Sequence, residues 1–298
     1  MPSEKGRKVK KCDYPLCYNH PADGGMIRMR TLAKSFFCAA ALLLGGCIST
    51  EQITTVTGRE FTVNIQDKQV KQLAGSVGHR IGKEKETMSM SDDVIVKCVV
   101  DTLLHSMNYM FESSFVDWKV RVNRDDRPYI FILKSGEIYA SEGLVKFAEG
   151  NQEYLAYIVA HQFGHYFSRH FEERLSGDPV VKENEEPAPL YETDNAFHDR
   201  VRHMFNADGS ETPLAFTPEQ EKEADILAAE YLAKAGFKPD VALVYMNSIR
   251  GRSDNEYEKI HPMTSERMKD YQDAVEKNWE NYKYAVGKLG ITASCYHK

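Results

Sequence analysis

The chain has 298 residues, a formal net charge of −6 and a charged fraction of 28%, enough for one sizeable domain with a small appendage. A hydrophobic fraction of 42% excludes wholesale disorder. The acidic balance, with a pI near 6.0, lacks the basic face on which nucleic-acid binding depends, so no nucleic-acid partner is expected.

Residues 26–46 read as a leader. Arg28, Arg30 and Lys34 form a basic stretch, Phe36 to Leu44 an apolar run, and Gly45-Gly46 precede Cys47. This order of charged, apolar and small residues is that of a secretory signal, and the run is shorter than the about 20 residues that span a bilayer. Leu44-Gly45-Gly46-Cys47 resembles a bacterial lipobox, which implies lipidation of Cys47 and attachment to a membrane through that lipid. The alternative is a buried helix of a cytosolic protein. Ile48 rather than Asp after the cysteine resembles the outer-membrane pattern of enteric bacteria. The expected location is therefore the periplasm-facing envelope, at the outer rather than the inner membrane. Residues 1–25 precede a complete signal and read as an over-extended start, with translation beginning at Met26 or Met29. Cys12, Cys17 and His20 in that stretch have no fourth metal ligand nearby.

Residues 47–65 are polar and Thr-rich and suit a lipidated tether; residues 66–290 form the expected domain. Val70, Leu73, Val77 and Ile81 recur at helical spacing. A second helix is expected from about Asp92, with Ser91 as its cap. Cys98 shares an apolar stripe with Ile95, Val99 and Leu103; pairing with Cys295 in an oxidising compartment and a buried free thiol both fit. Trp118, Val120 and Val122 alternate as in a strand, and Tyr129–Leu133 and Glu137–Ala140 flank Lys134-Ser135-Gly136 as a hairpin. One long helix is expected from about Gln152 to Arg174. Residues 176–216, rich in Pro, Gly and acidic side chains, have the character of a lid-like cover. Thr217-Pro218-Glu219-Gln220 opens a helix that should stop near Gly236. Two more helices are expected at about Pro239–Ile249 and Ser265–Val286. The class is α+β, mostly helical with one small sheet.

The chemistry centres on His161-Gln162-Phe163-Gly164-His165, within the long helix. Residues four apart share a helical face, so both imidazoles can point at one metal ion. In the HExxH pattern the histidines bind zinc and the intervening Glu is the general base acting on water; here that position is Gln162. On its own the spacing also fits a core or surface pair. Glu221 and Asp225 are again four apart on the helix after Thr217. One carboxylate would complete a His₂Glu site and the other would hold a ligand histidine in its tautomer; a solvated acidic helix start is the alternative.

Several spaced motifs then carry a likeness. They are Phe131-Ile132-Leu133-Lys134-Ser135-Gly136-Glu137-Ile138-Tyr139, Ser141-Glu142-Gly143-Leu144, His161–His165 with Ser168-Arg169-His170, Glu221–Asp225 with Tyr231–Phe237, and His261-Pro262. From about Val70 to Asp270 the sequence resembles metallopeptidase family forty-eight, the group of the HtpX heat-shock protease and the CAAX prenyl protease, and above all its periplasmic BepA-like members. The resemblance implies a zincin-type (gluzincin) domain with the sheet beside the active-site helix. It also implies Zn²⁺ held by His161, His165 and Glu221, with Asp225 as the supporting carboxylate. His261 would lie at the site edge, as an additional ligand or a donor to the tetrahedral intermediate. Phe131, Ile132 and Leu133 would offer an edge strand to extended or misfolded envelope polypeptides.

Gln162 departs from that family. An amide has no usable basicity at neutral pH, and general acid–base catalysis is worth about 10²–10⁴-fold. The expectation is a lipid-anchored zinc metalloendopeptidase with impaired hydrolysis. The alternative is a non-catalytic, zinc-containing binding or chaperone-like module.

Overall fold

The structure is a computed structural model that describes residues 50–64, 94–107, 116–126, 128–177, 216–251, 257 and 261–295. The leader of residues 1–46, Cys47, the helix expected around Val70–Ile81 and nearly all of the lid-like segment 176–216 lie outside them. The described residues belong to one compact unit, Cys47–Lys298. Its elements are β1 (Glu51–Thr54), β2 (Glu60–Val63), α1 (Ile95–Met107), β3 (Lys119–Asn123), β4 (Ile130–Ile132), β5 (Glu137–Ser141), α2 (Glu142–Phe147), α3 (Gln152–Phe167), α4 (His170–Gly177), α5 (Pro218–Ala235), α6 (Val241–Ile249) and α7 (Ser265–Gly287). The α+β class holds, with helices dominant. Among the described residues no helix is long and apolar enough to cross a membrane.

The expected hairpin is β4–β5, antiparallel with Ile130 opposite Ala140 and Ile132 opposite Ile138. β3 pairs parallel to β5, which gives a three-stranded sheet in the order β3-β5-β4, with β4 at an edge among the described residues. β4 packs against α3. Its side chains are buried, with Phe131 stacked on Tyr139. A second sheet was not expected: β1 and β2 pair antiparallel, Glu51 opposite Val63 and Thr54 opposite Glu60. The Thr-rich composition reads as a tether, but Ile53, Thr54, Thr55, Val56 and Thr57 are β-favouring residues. They are followed by Gly58 at φ 80°, where the chain turns back.

α3 is buried almost all round, from Leu155 through Ala160 to His165, and so carries no amphipathic stripe. Asn151 caps it, its side chain accepting from the N–H groups of Glu153 and Tyr154. α3 packs against α5, α1 and α6, and α5 packs in turn on α7. The single helix expected over 152–174 is two: α3 ends at Phe167, and Arg169 adopts a left-handed φ of 59° before α4 begins at His170. That break re-aims His170, with consequences for the site. α5 begins with the expected capping box of Thr217 and Gln220, and ends at Gly236 with φ 78°, a conformation that glycine adopts without strain. Cys98 in α1 and Cys295 in the C-terminal segment form a disulfide, which settles the open choice in favour of pairing. The Cys295 N–H also donates to the Gln152 side chain at 2.7 Å, at the start of α3.

Candidate metal centre

Two buried helices meet at a contact that only a glycine allows. A Cβ on Gly164 would lie 2.5 Å from the Ala224 carbonyl oxygen and 2.7 Å from its Cα, well inside van der Waals contact. α3 and α5 therefore touch backbone to backbone between His161 and His165 on one side and Glu221 and Asp225 on the other. The loop that enters α7 adds His261, whose N–H bonds the Tyr257 carbonyl. Arg267, in the first turn of α7, is buried beside it.

One ligand atom from each of His161, His165, Glu221 and His261 lies within 4.8 Å of the others, and all four residues are buried. His161 Nε2 stands 3.0 Å from His165 Nε2, 3.3 Å from Glu221 Oε2 and 3.2 Å from His261 Nδ1. His165 Nε2 stands 3.5 Å from Glu221 Oε1. Donors about 2.0–2.1 Å from a tetrahedral zinc ion are about 3.3 Å from one another, so these spacings suit such an ion. The outer ring nitrogens are already engaged. His161 Nδ1 donates to Asp225 Oδ1 at 2.8 Å. His165 Nδ1 meets His170 Nδ1 at 2.9 Å, and His170 Nε2 donates to Glu223 Oε2 at 2.9 Å. With both Nδ1 atoms bearing hydrogen, the two Nε2 lone pairs face each other, an arrangement that calls for a proton or a metal cation between them.

The electrostatics match. Burial alone would raise the Glu221 carboxyl, but Arg267, His261 and His161 bring it well below the usual carboxylate range. The same opposition, with Arg267 and His161 prevailing, lowers Asp225. Arg267 Nη1 lies 2.6 Å from Glu221 Oε2, and its Nε donates to Asp225 Oδ2 at 2.6 Å. One guanidinium thus compensates both buried carboxylates, and Tyr157 adds a hydroxyl that donates to Asp225 Oδ1 at 2.9 Å. Burial opposes charge on His161, yet Glu221 and Asp225 raise its pKa. Burial pushes His165 well down and His261 down, so both are neutral. His165 keeps an Nε2 lone pair, while His261, accepting from Gln162 at Nε2, carries its hydrogen on Nδ1, 2.7 Å from Glu221 Oε1.

Gln162 is partly buried, and its amide Nε2 donates to His261 Nε2 at 3.2 Å. The amide serves here as a hydrogen-bond partner of His261 rather than as a proton acceptor. On the other side Phe216 stacks on His165, with centroids 3.7 Å apart and planes 20° apart, and the Arg174 guanidinium sits 5.0 Å over the Phe216 ring. Burial lowers Arg174 to about 10.

The structure gathers His161, His165, Glu221, His261, Gln162 and Asp225 at one place. Phe131 and Ile132 lie in β4 beside α3, and Leu133 directly follows them, its N–H donating to the Glu137 carbonyl. Sequence reasoning missed Arg267, Tyr157, His170, Glu223 and Phe216. Tyr157 stands four residues before His161 on the same helical face, a signal that was available. His170 and Glu223 depend on the break at Arg169, which periodicity does not reveal.

Residues 92–275 match the family model described as Peptidase family M48. A curated relative, the mitochondrial metalloendopeptidase OMA1 of Schizosaccharomyces pombe, is 23% identical over 190 residues, which cover 62% of this chain and 52% of that protein. The chain thus spans about half the length of the curated relative it matches.

Proposed function

Because the chain belongs to Peptidase family M48, which makes a metallopeptidase-like function its premise, we propose that it is a zinc-binding protein of the bacterial envelope with impaired peptide hydrolysis. His161, His165 and Glu221 would hold the ion, with His261 closing the cluster. The single observation that carries this is the cluster of four buried side chains, His161, His165, Glu221 and His261, each with one ligand atom within 4.8 Å of the others. Zinc held there would supply Lewis acidity toward water and toward the scissile carbonyl.

The chain's own residues do the rest. Asp225 and His170 fix the two histidine rings, and Arg267 keeps both carboxylates ionised in a buried site. The edge of β4, next to α3, suits an extended polypeptide paired by strand addition. Gln162 neither accepts nor returns a proton, so the step that a glutamate would catalyse runs without it. The leader and Cys47 support export and lipid anchoring at the outer membrane. Extended or misfolded envelope polypeptides are the substrate class that suits such a location. Gln162 itself favours the second possibility, a zinc-containing module that binds such segments without cutting them.

Cleavage of casein by the protein and by its Gln162→Glu variant separates the two. We expect metal-dependent cleavage to rise about 10²–10⁴-fold on introducing the carboxylate. Equal, metal-dependent cleavage by both forms would show that Gln162 costs nothing. Inactivity of both, with zinc bound, would favour the binding module.

A further inference from the structure

The β1–β2 hairpin is remote in sequence from both site helices, yet the residues of its turn end on Glu223. The Thr55 and Thr57 hydroxyls donate to Glu223 Oε1 at 2.5 and 2.6 Å. Arg59 donates to both oxygens, Nε to Oε1 at 3.1 Å and Nη2 to Oε2 at 2.9 Å. Its Nη1 pairs with Glu173 in α4. Glu223 is fully buried, and a buried carboxylate persists only when paired and hydrogen-bonded. Among the described residues its remaining partner is His170 Nε2.

Donating from Nε2 leaves His170 Nδ1 as an acceptor, and the atom before it is His165 Nδ1 at 2.9 Å. His165 is thereby held with its Nε2 turned to the cluster. Asp225 does this directly for His161; for His165 the chain of contacts is longer and ends on the hairpin.

We propose that the tip of the β1–β2 hairpin is a positioning element of the metal centre: Arg59, with Thr55 and Thr57, holds Glu223 against His170, and His170 fixes the ring of His165. The inference rests on the zinc site of the proposed function. It assigns the segment directly after the leader a role in assembling that site, and assigns His170 and Glu223 roles as positioning residues that act through His165.

The test is zinc affinity of the full chain in detergent, measured by competition with a chromophoric chelator at fixed pH, together with the melting temperature of the metal-free forms. Partners one step behind a metal ligand typically contribute 10–100-fold to metal affinity. Glu223 stands two links behind His165 and Arg59 three, so Glu223→Gln should weaken zinc binding by about tenfold, the lower end of that range, and Arg59→Ala by roughly 3–10-fold, each further link diluting the effect. Because Arg59 acts through Glu223, the double variant should bind no more weakly than Glu223→Gln alone. The double change Thr55→Val with Thr57→Val, which keeps the side-chain shapes, should also weaken binding and provides the comparison if Arg59→Ala does not fold. Zinc affinity unchanged within twofold in Arg59→Ala or the double threonine variant, alongside a lowered melting temperature, would reduce the hairpin to a structural brace and overturn the inference. Additive losses in the Arg59→Ala, Glu223→Gln double variant would also overturn it. No zinc bound by the parent protein would instead overturn the metal site, and this inference with it.

Discussion

At the scale of single residues, the site is a set of buried charges that compensate one another. Arg267 spans Glu221 and Asp225, and its own charge is secured, against the cost of burial, by those two carboxylates. His161 lies between the same two carboxylates, and they raise its pKa above the ordinary 6.5. A group raised in this way stabilises the metal-free fold below its ordinary pKa, and that contribution disappears as the pH climbs through the raised value. A metal ion must displace that proton. Zinc affinity should therefore climb with pH, roughly tenfold per unit while His161 remains protonated, and level off above its raised pKa; isothermal titration in buffers of different ionisation enthalpy would count the proton released. A flat profile with no proton release would contradict the placement of His161 among the ligands. The pair His161 and His165, and the pair Glu221 and Asp225, were legible in the sequence because spacing by four fixes a common helical face. Arg267 was not, because nothing local marks an arginine in a first turn as the counter-charge of carboxylates about forty residues earlier.

At the scale of elements, the close crossing of α3 and α5 determines whether the two pairs of ligands meet. Gly164→Ala inserts a methyl where the Ala224 backbone already lies 2.5–2.7 Å from its position. We expect a destabilisation of about 1–3 kcal/mol from overpacking, with a larger proportional loss of zinc affinity than any surface change of equal cost, because the helices that carry the ligands are forced apart. Chemical denaturation and metal titration of the same variant check the two halves; unchanged affinity in a folded Gly164→Ala protein would show that the crossing has slack. The helix ends around this crossing were readable from capping chemistry, as at Thr217 and Gly236. Two features were not. The chain breaks at Arg169 although Ser168-Arg169-His170 carries no proline or glycine. The β1–β2 hairpin reads as a tether because its strands have four residues each and β1 is exposed or half-exposed throughout, which leaves little hydrophobic alternation to detect. Besides buried Val63, polar contacts hold the hairpin: Arg59 on Glu173 and Glu223, and Arg169 on Glu51 at 2.6 Å.

At the scale of the whole molecule, the C-terminal segment is fastened to α1 by the Cys98–Cys295 disulfide and to α3 by Gln152. Removing a native disulfide typically costs about 2–5 kcal/mol. Cys98→Ser should lower the melting temperature while leaving zinc stoichiometry intact, because the bridge lies outside the ligand set; loss of zinc in a folded Cys98→Ser protein would show that the C-terminal segment also supports the site. The two-helix ligand set and the family assignment meet in one claim, that His161, His165 and Glu221 surround a single zinc ion. Zinc K-edge absorption of the purified protein tests this most directly. One zinc per chain with a first shell of nitrogen and oxygen at about 2.0–2.1 Å, lost in His161→Ala and in Glu221→Ala, is the expected result. Absence of stoichiometric zinc, or a shell that survives both substitutions, would contradict it.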